Sequence, residues 1–256
     1  MLLVTAYAIA PFPSADATAL NGLEALQGPV ATPVLTLVAH TGDPIPLALM
    51  LAAIVAVGFR LGRRRQAFAA AGAVIGANVA TQILKILLAH PRFHPVLGVN
   101  QLAATAFPSG HATAAMSIAL AAVIVCPAKL RPRVAPVAAL YALAVATSIL
   151  VLGWHFPSDV LGGFMVAAVF AFGAVAAARQ LADRDGARSG PLTARVALPP
   201  PSFLLAGMAI VATVAVARHG DLVQFARDHT SAAAALAAVT AACGVLLVGA
   251  SRFADR

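Results

Sequence analysis

The chain has 256 residues, 61% of them hydrophobic and only 10% charged, with a mean hydropathy of +0.91. Soluble domains are about 45–50% apolar and about 25% charged, so a soluble globular protein is excluded and an integral membrane protein is indicated. The net charge of +8 suggests nucleic acid at first sight, but the placement of the basic residues makes it a topology signal instead.

Residues 1–43 are moderately apolar and rich in Pro and Gly, and are expected to form an outward-facing segment with surface helices. The opening "MLLVTAYAIA" has no basic start and no small-residue cleavage pattern, so no signal peptide is expected. The run 29–40 resembles a span in hydropathy, but Pro29, Pro33, His40 and Asp43 in and around it favour a helix lying at the surface. A span takes about 20 mostly apolar residues. Such runs fall near 44–61, 66–88, 110–126, 134–153, 157–180, 202–217 and 231–250, which predicts an all-α bundle of about seven spans. Residues 44–180 read as a membrane core of five helices with mostly short connections. The charged, then proline-rich stretch 181–201 reads as a linker, and 202–256 as a C-terminal transmembrane hairpin and tail. Helix packing or self-association is the expected role of that hairpin.

If the seven helices alternate, Arg60, Arg63, Arg64, Arg65, Lys129, Arg131, Arg133, Arg179, Arg184, Arg188, Arg195, Arg252 and Arg256 share one side of the membrane. Only Lys85, Arg92, Arg218 and Arg227 lie on the other. The positive-inside rule makes the larger group cytoplasmic. Cys126 and Cys243 sit in or at the ends of apolar runs, where packing is their expected role. Gly72, Gly76, Gly162 and Gly163 are expected to let helices approach closely, and Asn78 to hydrogen-bond between helices.

With this topology the unusual residues gather in two outer loops, 89–109 and 154–158. They are His90, Arg92, His94, Ser109, His111, His155 and Asp159, with Lys85 at the end of the preceding helix. Ionisable groups at membrane depth are functional candidates. In "KILLAHPR", Lys85 and Arg92 are seven apart and share a face if the helix continues. Such a pair suits a bound phosphate, or else snorkels to lipid headgroups. In "FPSGH", Ser109 is a natural N-cap and Gly110 admits an anion to the free N–H groups of the helix start. His111 would stand beside that anion as a proton donor; an ordinary capped helix with an exposed histidine is the plainer alternative. In "WHFPSD", Asp159 follows His155 by four residues and can orient one ring nitrogen, leaving the other as a nucleophile. The plainer alternative there is a helix start capped by Ser158.

Together these stretches resemble the type 2 phosphatidic acid phosphatase and vanadium haloperoxidase superfamily, whose membrane members are lipid phosphatases. Its first motif is Lys, six residues, Arg-Pro, matched at Lys85 and Arg92 with Phe93 in place of proline. Its second, Pro-Ser-Gly-His, is matched in full at 108–111. Its third, Ser-Arg, five residues, His, three residues, Asp, is matched at Ser148, His155 and Asp159, with Ile149 in place of arginine. The resemblance spans roughly 44–180. It implies that His155 attacks phosphorus and becomes phosphohistidine while Asp159 orients it. His111 would protonate the leaving oxygen, and Lys85, Arg92, Ser109 and the Gly110 amide would hold the phosphoryl oxygens. It further implies that neither metal nor cofactor is needed. Membrane members have six core helices, and "MLLVTAYAIA" is too short to be the first, so that helix is expected to be lost or to precede a late start codon.

The expected partners are the bilayer and a membrane lipid phosphate: polyprenyl diphosphate such as undecaprenyl diphosphate, phosphatidate or phosphatidylglycerol phosphate. No nucleic acid is expected. The expected location is a bacterial cytoplasmic membrane with the site on its outer face. Because Ile149 cannot bind phosphate, His90 or His94 is the expected substitute donor. A lipid phosphotransferase and a non-catalytic lipid-phosphate binder are the alternatives.

Overall fold

The computed structural model describes residues 12–91, 93–98, 101–184 and 219–253. They form nine α-helices: α1 (Phe12–Glu24), α2 (Ala31–His40), α3 (Pro44–Arg60), α4 (Arg64–Leu87), α5 (Gly110–Val125), α6 (Arg131–Val151), α7 (Pro157–Arg184), α8 (His219–Asp228) and α9 (Thr230–Phe253). Single 3-10 turns occur at Pro95–Leu97 and Ala128–Leu130, and the described residues contain no strand. The expected span 202–217, and the linker beyond Arg184, lie outside the described residues.

The protein is an integral membrane protein with an all-helical fold. Among the described residues, four segments are long and apolar enough to cross a membrane: Arg64–Leu87, Ala128–Val151, Pro157–Gln180 and Thr230–Phe253. Helices α2 and α3 meet at a 58° bend and make a fifth candidate if taken as one broken span. Helix α5 has 16 residues, about 24 Å of rise against the roughly 30 Å of a hydrocarbon core. It differs from the others in being buried almost all round, from Ala112 to Val125 with Ala122 as the exception. An all-apolar helix is the kind that can be enclosed in this way, and α3, α4, α6, α7 and α9 all pack against it.

The surrounding helices show a small-residue stripe inward and large apolar residues outward. On α4 the buried positions are Ala67, Ala70, Ala73, Val74, Ala77 and Thr81, spaced three or four apart. Phe68, Ile75, Val79, Ile83 and Ile86 are exposed, as suits contact with lipid. Gly76 packs under Phe170 of α7, where a Cβ would come within 2.7 Å of the ring, whereas Gly72 faces open space and serves no such contact. Asn78 bonds across to α5, its Nδ2 lying 3.3 Å from Ser117 Oγ.

One end of the bundle is basic and stapled. Arg131, counted by sequence among the topology charges, is only 3% exposed. Its Nε donates toward Val123 O and Cys126 O at the end of α5 (3.2 and 3.1 Å), and Nη1 toward Ser251 O in the last turn of α9 (3.0 Å). Carbonyls at helix C-termini lack intrahelical donors and carry partial negative charge, so one guanidinium serves two helix ends and holds α9 to the core. At the same end Arg63 Nη2 reaches Ile124 O (3.3 Å), and the Arg179 guanidinium lies 4.2 Å from the centre of the Phe253 ring.

At the other end α1 closes over the bundle. Ala17 and Leu20 pack with Leu97 and the fully buried Phe156. Asp16 accepts from the Ser158 N–H (3.1 Å) and from its hydroxyl (2.5 Å), and Gln27 Nε2 donates to Val151 O (2.8 Å). The chain's first described helix is thus bound to the turn that carries His155.

Candidate active site

The site starts from the antiparallel pairing of α4 and α5. Three rungs climb it: Asn78 to Ser117, Thr81 to Thr113 (Oγ1–Oγ1 3.0 Å), and Lys85 beside Gly110. These α4 residues follow one helix face at intervals of three and four. The last rung puts the Lys85 amine and the Gln82 amide 3.5 and 3.7 Å from where a Gly110 Cβ would be. Ser109 caps α5, its Oγ accepting from Ala112 N–H at 3.3 Å. A cation and a helix N-terminus therefore face the same small volume, an arrangement suited to phosphate.

Gly163 of α7 lets that N-terminus sit where it does. A Cβ there would fall 2.6 Å from Ser109 O, closer than packing allows, and a tight 3.0 Å from Thr113 N. The Ser109 N–H also donates to Asp159 O at 2.9 Å, tying the first turns of α5 and α7 together.

His155 lies in a short turn fixed at both ends. Helix α6 ends with Gly153 in the left-handed region (φ 74°), Trp154 N–H bonding Ile149 O (3.0 Å) and Gly153 N–H bonding Leu150 O (3.1 Å). This is a Schellman stop, which requires a residue that tolerates positive φ. Helix α7 begins with Asp159 reaching back to the Phe156 N–H (Oδ2, 3.0 Å), the return half of a capping box. Ser158, the cap in the plainer alternative, instead gives its own N–H and hydroxyl to Asp16. Asp159 is fully buried, and its Oδ2 lies 3.6 Å from His155 Nδ1, within ion-pair range but beyond hydrogen-bond length. His155 Nδ1 is buried without a hydrogen-bond partner. Catalytic contacts are commonly this long before substrate binds.

His111, in the first turn of α5, has its ring centre 6.4 Å from that of His155 and 5.6 Å from that of Trp154. Its Nε2 lies 3.1 Å from Asp43 Oδ1, and Asp43 Oδ2 lies 2.8 Å from His40 Nδ1. The sequence reading used Asp43 and His40 only to mark a surface helix. Partial desolvation works against the Asp43 carboxylate, but the hydrogen bonds from His40 and His111 outweigh it and hold it below the ordinary carboxylate range. The signal available in sequence was an acid directly before Pro44 at a helix start, in a chain with nine acids altogether. Asp43 stands at the N-cap of α3 yet makes no cap bond, because its oxygens face the two histidines.

Residues 66–183 match the model of the PAP2 superfamily. The fold matches the crystal structure of a transmembrane PAP2-type phosphatidylglycerolphosphate phosphatase from Bacillus subtilis, with a TM-score of 0.56 and 23% identity. That match covers 70% of this chain and 92% of the other. By sequence, no curated protein matches. Residues 66–183 are thus similar to the PAP2 superfamily.

Of the residues assigned through the PAP2 motifs, the structure gathers Lys85, Ser109, Gly110, His111, His155 and Asp159 at one end of the bundle. Arg92 lies outside the described residues. The helix that would have aligned it with Lys85 stops at Leu87, five residues short. Pro91 disfavours helical geometry in the residue before it, and the chain instead turns so that His90 N–H meets Ala104 O (3.0 Å). The side chain of His90 is exposed, whereas the His94 ring meets the Phe156 ring edge-on with centres 5.5 Å apart. Ile149, the departure from the third PAP2 motif, is fully buried in the last turns of α6.

Proposed function

We propose that this chain is a membrane lipid phosphatase of the PAP2 superfamily that works through a phosphohistidine on His155. The observation that carries the proposal is the placement of two histidines, each with its own carboxylate, around a capped helix N-terminus that also faces a lysine. A binder has use for the lysine and the helix end but none for a histidine with a buried aspartate behind it. With Nδ1 turned to Asp159, His155 Nε2 attacks phosphorus and the bond to the lipid oxygen breaks. His111 Nδ1 gives that oxygen its proton. Water then attacks the phosphohistidine, His111 takes the proton, and inorganic phosphate leaves. Lys85, Ser109, Gly110 and Arg92 hold the phosphoryl oxygens throughout. The reaction needs no metal, since two histidines and the cationic cradle supply the proton transfers and charge stabilisation.

The test is phosphate release in detergent from phosphatidylglycerol phosphate, phosphatidate and a polyprenyl diphosphate, with and without a chelator. Release from at least one of them, unchanged by the chelator, is expected. Binding without release by the pure, folded protein would leave a non-catalytic lipid-phosphate binder. Transfer of phosphate to an added lipid alcohol instead of water would indicate a phosphotransferase.

We also propose that the site faces outward from a bacterial cytoplasmic membrane, because the basic residues around α3–α4, α5–α6 and the end of α9 crowd the opposite end of the bundle. Thr105→Cys, near the site, should react with an impermeant thiol reagent in intact cells, and Lys129→Cys should be protected. The reverse pattern would place the site in the cytoplasm. Outward exposure suits a polyprenyl diphosphate or a phospholipid phosphate equally.

A further inference from the structure

We propose that Asp43 is a positioning residue for His111, holding the ring in the tautomer and orientation in which it can act as general acid. The inference rests on the phosphatase reading and deepens it. Asp43 comes from the turn between α2 and α3, a segment outside the 66–183 match and 68 residues from His111.

Three observations support this role. The Asp43 carboxylate stands at a helix start, where such a side chain ordinarily caps, but it bonds two histidines instead. The turn is shaped for the contact: a Cβ on Gly42 would lie 3.1 Å from His111 Cδ2, and Tyr141 OH lies 3.4 Å from Thr41 O. The rings of His40 and His111 both pack against Trp154, at 5.7 and 5.6 Å, so one indole limits the movement of each. A carboxylate at Nε2 fixes the proton there in the neutral ring, and it stabilises the imidazolium that must form before the leaving oxygen is protonated. His40, on the outer carboxylate oxygen, fixes the carboxylate in turn.

The charged and titratable groups around His111 are Asp43 and His40 from the α2–α3 turn, Lys85 from α4, and His155 with Asp159 at the start of α7. Asp43 is the carboxylate that meets the His111 ring at hydrogen-bond distance. Its loss should therefore show in the alkaline limb of the rate profile, where the general acid loses its proton.

The experiment compares wild type, Asp43→Asn and Asp43→Glu on an alkyl lipid phosphate and on p-nitrophenyl phosphate, whose leaving group departs without help from an acid. Asp43→Asn should lower kcat on the alkyl substrate about 10- to 100-fold with KM within about twofold. Its alkaline limb should move down by about one pH unit, and Asp43→Glu should recover part of the loss. On p-nitrophenyl phosphate the pre-steady-state burst of nitrophenolate, which reports phosphoryl transfer to His155 alone, should slow by less than about threefold. A loss in that burst equal to the loss on the alkyl substrate, with no shift of the limb, would make Asp43 merely structural and overturn the proposal, as would an unchanged alkyl rate. If the folded wild type hydrolyses neither substrate, it is the phosphatase reading that has failed, not the assignment of Asp43 within it.

Discussion

Replacing His155 with alanine should abolish turnover and covalent phosphate together. The ring it removes is the one whose Nδ1 faces buried Asp159 and whose backbone is fixed between the stop of α6 and the start of α7. With those backbone bonds untouched by the substitution, the loss should be in chemistry rather than folding. Removing a nucleophile that acts as part of a unit costs about as much as removing the unit, so a fall of at least about 10³-fold in kcat is expected. His111→Ala should behave differently. It should slow turnover strongly on alkyl substrates yet leave His155 open to labelling by an activated phosphate donor, and the label should persist because its hydrolysis also uses His111. Rapid quenching followed by phosphohistidine detection separates the two variants. Substantial activity in His155→Ala would overturn the mechanism.

Removing the side chain that stands in for the motif arginine should give the second large effect. Ile149 is fully buried on α6, and its carbonyl holds the Trp154 N–H in the turn that leads to His155. Of the two candidate substitutes, His94 is favoured: its ring packs on Phe156, the residue after His155, while His90 is exposed. We expect His94→Ala to lower catalytic efficiency about 10²-fold, the scale of one donor aimed at transition-state charge. Ile149→Arg alone should leave activity flat or lower, because it puts a further cation at a fully buried position of a site that already has its donor. In the double variant the arginine should recover much of what His94→Ala lost, a coupling that a double-mutant cycle measures directly. A gain approaching 10²-fold from Ile149→Arg alone, with His94→Ala neutral, would mean that the natural site simply lacks that donor.

Much of this fold could be read from hydropathy, because spans are long and their signal is strong. The helices at 44–60, 64–87, 131–151, 157–184 and 230–253 lie where apolar runs predict them. The inner and outer faces of α4 were less visible, since alanine and glycine look alike on either side: Gly76 is packed and Gly72 is not. At the site, what sequence showed best was local. The spacing of His155 and Asp159, and the Pro-Ser-Gly-His start of α5, express contacts between near neighbours. What it missed joins residues far apart. The bond from Asp43 to His111 spans 68 positions and that from Asp16 to Ser158 spans 142, and neither carboxylate stands in a motif. Arg131 was missed for a different reason. Its neighbours Lys129 and Arg133 are ordinary interfacial cations, and nothing in the run shows that the middle one turns inward.

The bond between Asp16 and Ser158 also bears on how the protein is made. Among the described helices α1 is synthesised first, yet the N–H and hydroxyl it serves appear 142 residues later. At about 5–20 residues per second the ribosome needs roughly 7 to 30 seconds to close that gap. Through that interval Asp16 has no Ser158 to bind, and the turn carrying His155 does not yet exist. Translation therefore finishes the active-site end of this molecule late, and with one of its oldest segments.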